Sequence, residues 1–176
     1  LLGPGTGLGM ACYVQGPGGK GVVASEGGHM TLAATSDYES DVIAILRRQF
    51  AHVSAERVLS GPGLLNLYRA IATLDRVDVL PRAPAEVTRA ALDGTCATCR
   101  KTLDTFVSFL GSVAGDVALL FGARGGVFVG GGIIPQHIGQ AAGGICGAIG
   151  HDHHAGMLGI AHAHATPMVQ RHPSGT

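Results

Sequence analysis

The order of apolar patterns along the chain predicts a mixed α/β domain. Two strand-length runs flank a Gly-Pro turn near the N-terminus, several segments with helical period follow, and a short apolar run at 127–129 then ends in three glycines. Composition agrees with a folded domain: 46% of the 176 residues are hydrophobic and 14% are charged, which excludes a disordered polyelectrolyte. Twelve basic and twelve acidic residues give a formal net charge of zero, so neither a nucleic-acid footprint nor attraction to anionic lipid is expected. Glycine is abundant, 29 residues, but without the Gly-X-Y period of collagen.

The first elements read as β structure. Met10–Gln15 and Lys20–Ser25 surround Gly16-Pro17-Gly18-Gly19, a turn of hairpin length, and Gly3–Gly9 is a glycine loop joining two short apolar runs. From Ser36 the period becomes helical. Ser36 and Glu39 form an S-x-x-E capping box, and Val42, Ile45, Leu46 and Phe50 repeat on one face. Ser54 opens a short helical segment, Ala55 to Leu59. Gly61-Pro62-Gly63 reads as a break, after which Leu64–Leu74 resumes as a helix with Leu64, Leu67, Tyr68 and Ile71 together. Residues 75–84 read as a linker, and Pro84 suits the first turn of a helix ending at Leu92, where its missing N–H costs nothing. The longest helix is expected from about Cys99 to about Phe121, with Leu103, Phe106, Val107, Leu110, Val113, Ala114, Val117 and Leu120 in one core stripe. Val127–Val129 reads as a buried strand. The chain divides into an α/β part, 1–135, and a glycine- and histidine-rich tail, 136–176, with a helix start near Ala155–Ala161.

No secretory signal opens the chain, and its longest uncharged stretch, 125–150, holds too many glycines for a membrane span. Four cysteines without a signal peptide fit free thiols in a reducing compartment, so a cytoplasmic location is expected, with no membrane and no nucleic-acid partner. The chain begins without Met on what reads as the end of a strand, as a chain looks when its beginning has been cut off.

Two glycine loops, 3–9 and 130–135, sit at strand ends. Glycine lets N–H groups approach an anion closely, and phosphate is the usual anion held by such a nest. Thr6 adds a hydroxyl where the first loop is tightest. Neither loop is a Walker A motif or a dinucleotide fingerprint, so tight turns in a glycine-rich protein explain them equally well. Ser25-Glu26-Gly27-Gly28-His29 carries more information. A carboxylate and an imidazole separated by two glycines past a strand end suit a polyhydroxyl ligand, Glu26 accepting and His29 donating; an incidental surface loop is the alternative.

Four blocks, GPGTGLG (3–9), SEGGH (25–29), HVSAERVLSGPGLLNLYRA (52–70) and GGVFVGGGIIP (125–135), resemble the bacterial hexokinase-type glucokinases in order and spacing. The resemblance covers most of residues 1–135 and implies the actin-like, ribonuclease-H-like ATPase fold, here mainly the larger C-terminal domain of a two-domain sugar kinase. It implies an enzyme that phosphorylates glucose from ATP with Mg²⁺. Gly5, Thr6 and Gly7 would lie near the β- and γ-phosphates, Gly131 and Gly132 near the adenosine, and Glu26, His29 and Glu56 on glucose hydroxyls. By the same resemblance the first phosphate loop and the catalytic aspartate lie upstream of Leu1. The chain is therefore expected to be a partial glucokinase with no catalytic residue of its own, inactive alone. A non-catalytic sugar sensor or pseudokinase is the other reading, and a homodimer is left open.

Two further motifs compete for chemistry. Cys96-Ala-Thr-Cys99 is a single C-x-x-C at the start of a core helix, read mainly as two small semi-buried residues. His151, Asp152, His153 and His154, with His162 and His164, could hold a transition metal, though no spacing matches a known site, and no resident metal is assigned.

Overall fold

The computed structural model describes residues 1–131, so Gly132, the histidine cluster and the helix start near 155–161 lie outside the described residues. Three strands open the chain: β1 (Leu2–Pro4), β2 (Leu8–Gly16) and β3 (Gly19–Ser25) form an antiparallel meander in the order β1-β2-β3. The turn between β2 and β3 is the Pro17-Gly18 pair, and Gly19 takes a φ of 114°, which glycine adopts without strain. Only the start of the meander is buried. Leu2, Leu8 and Met10 enter the core, while Tyr13, Val14, Val22 and Val23 are exposed at the hairpin's far end.

Four α-helices supply most of the core: α1 (Asp37–Arg47), α2 (Gly61–Asp75), α3 (Pro84–Leu92) and α4 (Ala97–Phe121). Single-turn 3₁₀ helices at Gly27–His29 and Ala55–Arg57 interrupt the connections. α4 packs against both α2 and α3, and its stripe of Phe106, Phe109 and Leu110 is fully enclosed. By length and apolarity α4 could cross a bilayer, but 56% of its most apolar window is buried inside the protein, as in the core helix of a folded domain. Lys101 of α4 joins three helices at their rim: it bonds Asp75 at 2.8 Å and lies 4.7 Å from the centre of the Tyr38 ring.

Several elements differ from the sequence expectation. Gly61-Pro62-Gly63 is the first turn of α2 and not a break. Ser60 caps it by accepting the Gly63 N–H at 3.0 Å, and proline in the first turn forfeits only an N–H that has no partner there. Gly63 is required by packing, since a Cβ there would lie 2.5 Å from the Val58 carbonyl oxygen. The segment from Ala55 forms one 3₁₀ turn rather than a helix reaching Leu59. Val127–Val129 makes a single parallel bridge, Val129 to Leu2, because β1 offers only three residues to pair with.

The capping box is also modified. Ser36 accepts the Glu39 N–H at 3.2 Å as expected, but the Glu39 carboxylate turns inward. It accepts from the Thr35 N–H and hydroxyl at 2.7 and 2.8 Å, and from the Ser108 hydroxyl of α4 at 2.7 Å. Glu39 is thus a buried polar tie between the start of α1 and the middle of α4. Glu39→Gln keeps acceptors for Thr35 but replaces the anion facing Ser108, and should lower unfolding stability by about 1–2 kcal/mol, read by urea titration. No change in the urea midpoint would show that the tie carries no net energy.

Candidate active site

The first glycine loop is the tight connection between β1 and β2. Gly5 N–H donates to the Gly7 carbonyl at 2.8 Å, and the Gly5 carbonyl accepts the Gly61 N–H, the first of α2, at 2.8 Å. Residues 6 and 7 are left at the tip. Their N–H groups and the exposed Thr6 hydroxyl make no hydrogen bond among the described residues. Three unspent donors on one tip are what a phosphate oxygen cluster needs.

The start of the second glycine loop, Gly130 and Gly131, lies beside the first. Leu2 N–H donates to the Phe128 carbonyl and Gly130 N–H donates to the Leu2 carbonyl, both at 2.8 Å, so the 127–130 segment runs parallel to β1. Gly131 has a φ of 144°, and its α-carbon sits against the Pro4 backbone where a Cβ would collide with the carbonyl. The two loops are therefore fixed at one edge by backbone pairing.

The Ser25–His29 loop leaves the end of β3 as a 3₁₀ turn closed by His29 N–H to the Glu26 carbonyl, 2.9 Å. Both of its glycines are dictated by close approach to β2. A Cβ on Gly27 would meet the Met10 sulfur, and one on Gly28 would overlap the Leu8 carbonyl. With the turn pressed inward, Glu26 and His29 point out, 95% and 63% exposed, with Glu26 Oε2 3.7 Å from His29 Nε2.

Glu56 belongs to the Ala55–Arg57 turn, which is held on three sides. Ala55 N–H donates to the Met30 carbonyl at 2.9 Å, Ser60 Oγ donates to the Glu56 carbonyl at 2.8 Å, and Asn66 Nδ2 donates to the Arg57 carbonyl at 3.0 Å. Leu32 N–H to the Val53 carbonyl, 3.0 Å, and the contact of Thr31 Oγ1 with His52 Nε2, 3.0 Å, fasten the same segment to the extended residues that follow His29. The Glu56 carboxylate reaches forward. Its Oε2 accepts the Leu8 N–H at 2.9 Å, just beyond the tip of the first glycine loop. Gly7 leaves room for this carboxylate, since a Cβ there would stand 2.5 Å from that oxygen and push the Glu56 side chain aside.

Leu8 is consequently shared. Its N–H holds Glu56, its carbonyl seats Gly28, and the loop before it carries Thr6 and Gly7. Glu56 has one oxygen committed to Leu8, while Oε1 makes no hydrogen bond among the described residues. This joint was missed in the sequence reading, where 48 residues separate its partners; only the sterically small Gly7 hinted that something approaches the loop. No group of three or more His, Cys, Asp or Glu side chains that could hold a metal occurs among the described residues.

Comparison with solved structures places this architecture in the sugar-kinase class of actin-like α/β folds. A glucokinase from an Antarctic psychrotroph superposes with a TM-score of 0.74 at 43% identity, over 79% of this chain and 43% of that one. A glucokinase from Balamuthia mandrillaris, solved with glucose, shares the fold with a TM-score of 0.76 at 19% identity. The chain belongs to the glucokinase family: the Glucokinase family model matches residues 1–144. Curated relatives agree, among them a glucokinase of Paramagnetospirillum magneticum, 47% identical over 137 residues, and one of Helicobacter pylori, 48% identical over 145 residues. Each alignment takes in 43% of the relative, so the chain spans about two-fifths of the length of these curated proteins.

Proposed function

We propose that this chain is the part of a glucokinase that grips the phosphates of ATP and one side of the glucose ring, in a protein that transfers a phosphoryl group from ATP to a glucose hydroxyl. The observation that carries the reading is the joint at Leu8, which ties a donor-rich loop tip to a carboxylate and to the Glu26–His29 turn. Glu26 and the free oxygen of Glu56 accept from sugar hydroxyls, and His29 donates to or accepts from another according to its tautomer. Thr6 and the amides of Thr6 and Gly7 hold the β- and γ-phosphates, and Gly131 and Gly132 approach the adenosine side. Phosphoryl transfer rests mainly on positioning and charge stabilisation, so two ligand sites locked to one residue are suited to it.

The donor set fits a nucleotide phosphate. Mg²⁺ would accompany the nucleotide held by Thr6 and Gly7 and would supply neutralisation of phosphate charge. A cytoplasmic location belongs to the same proposal.

A coupled phosphorylation assay on the natural polypeptide that carries this chain tests the reading. Glu26→Gln and His29→Ala should each lower kcat/KM for glucose about tenfold or more, with the KM for ATP nearly unchanged, because each deletes or neutralises one sugar contact worth about 1.4 kcal/mol. Equal losses on both substrates would contradict the assignment. Thr6→Val removes one phosphate donor at nearly constant volume. It should raise the KM for ATP several-fold while glucose binding, measured by calorimetry without nucleotide, stays intact. Binding of both ligands with no turnover in the unaltered protein would favour the sugar-sensor reading instead.

A further inference from the structure

The C-x-x-C motif is unused by the sugar-kinase reading, and its geometry is that of a reactive pair. Cys96 is the N-cap of α4, with its Sγ accepting the Cys99 N–H at 3.3 Å. Its sulfur therefore lies over the backbone of the residue whose thiol would have to meet it. Sulfur is a poor acceptor for this place; Ser, Thr, Asp or Asn would cap the helix better, so capping alone does not account for cysteine here. Cys96 is half-buried and reachable, whereas Cys99 is fully enclosed.

The surroundings differ for the two sulfurs. Burial pushes the Cys96 thiol up, but hydrogen bonds from Cys99 and the first-turn amides, together with the Arg82 guanidinium, outweigh it and leave Cys96 below the ordinary thiol range. Burial raises Cys99 to about 11, with Cys96 adding to the rise. Arg82 comes from the segment before α3; its guanidinium, which also meets the Tyr68 hydroxyl, places a positive charge beside the pair. A metal site is not the better account, since no third ligand joins the two thiols among the described residues.

We propose that Cys96 and Cys99 form a thiol–disulfide exchange site, in which Cys96 attacks an external low-molecular-weight disulfide and Cys99 resolves the product. The Cys96 thiolate forms a bond to one sulfur of the external disulfide, whose S–S bond breaks, and the departing thiolate takes a proton from water. Cys99 then attacks the Cys96 sulfur, its proton passing to the external thiolate that leaves. The mixed disulfide breaks, the Cys96–Cys99 bond forms, and the second external thiolate leaves and is protonated. Two protein thiols are oxidised by two electrons, and one external disulfide is reduced to two thiols. The site does not depend on the assignment of the sugar and nucleotide loops.

The test uses the natural polypeptide with every cysteine except Cys96 and Cys99 replaced by serine, Cys12→Ser and Cys146→Ser among them, exposed to oxidised glutathione and followed by intact mass and peptide mapping. The two-cysteine protein should end as an intramolecular Cys96–Cys99 disulfide with no lasting adduct. Adding Cys99→Ser should trap glutathione on Cys96, and adding Cys96→Ser should slow adduct formation at Cys99 about tenfold or more, as expected for an enclosed thiol of raised pKa. A lasting adduct in the two-cysteine protein, faster modification of Cys99 than of Cys96, or two unmodified thiols would each overturn the proposal. Should a serine variant fail to fold, per-cysteine alkylation rates in the unaltered protein decide: Cys96 must react about tenfold faster than Cys99, and equal rates contradict the site.

Discussion

Gly28→Ala should abolish most glucose use, lowering kcat/KM for glucose by about 100-fold or more while the ATP loop keeps its fold. The reason is steric and local. The added Cβ would overlap the Leu8 carbonyl, a backbone atom inside a strand that cannot swing aside as a side-chain tip can. The turn must then lift off β2 and carry Glu26 and His29 away from the position of the sugar. Overpacking of this kind costs about 1–3 kcal/mol of stability, so circular dichroism should show a folded protein with a lowered Tm. Steady-state kinetics at saturating ATP, with nucleotide affinity measured separately, checks the result. A variant with wild-type glucose kinetics would mean that the turn does not position sugar-binding groups.

Replacing Glu56 should have the second large effect, and of a different kind, because its carboxylate is proposed to meet the sugar while it holds the Leu8 N–H at the first glycine loop. Glu56→Ala removes the proposed sugar acceptor and takes from the part-buried Leu8 N–H the carboxylate it donates to. An unpaired buried donor costs about 1–3 kcal/mol, and the lost sugar contact adds to that in catalysis. The combined expectation is a fall of about 100- to 1,000-fold in kcat/KM for glucose together with a raised KM for ATP. Glu56→Gln separates the two roles. Its amide oxygen can still accept from Leu8, so ATP affinity should recover while the glucose defect persists in part. If Gln and Ala behaved identically on both substrates, the bond to Leu8 would have no part in linking the sites.

Much of this architecture was legible because it is local. Ser36 announces the start of α1 through its cap, Pro84 marks the first turn of α3, and the stripe from Leu103 to Val117 packs as a core helix, whereas Leu120, expected in the same stripe, is 75% exposed. Gly61-Pro62-Gly63 was misread because the same residues that end a helix also begin one. What decides is the Ser60 hydroxyl behind them, which accepts from Gly63 and donates to Glu56. Glu39 shows a related limit: its spacing from Ser36 signals a box, but the carboxylate bonds Ser108, a partner 69 residues away. The candidate site divides along the same line. The Glu26–His29 turn and both glycine loops stand out as short, chemically odd strings. Their relation to one another runs through Leu8, an apolar residue with no motif, using its main-chain N–H and C=O, which a sequence does not mark.

A crystal structure of the natural polypeptide with glucose bound would bear most directly on this reading. The side chains of Glu26, His29 and Glu56 should all lie within hydrogen-bond reach of one sugar ring, with Glu56 still accepting from the Leu8 amide. A sugar bound elsewhere, with those side chains left in solvent, would contradict it.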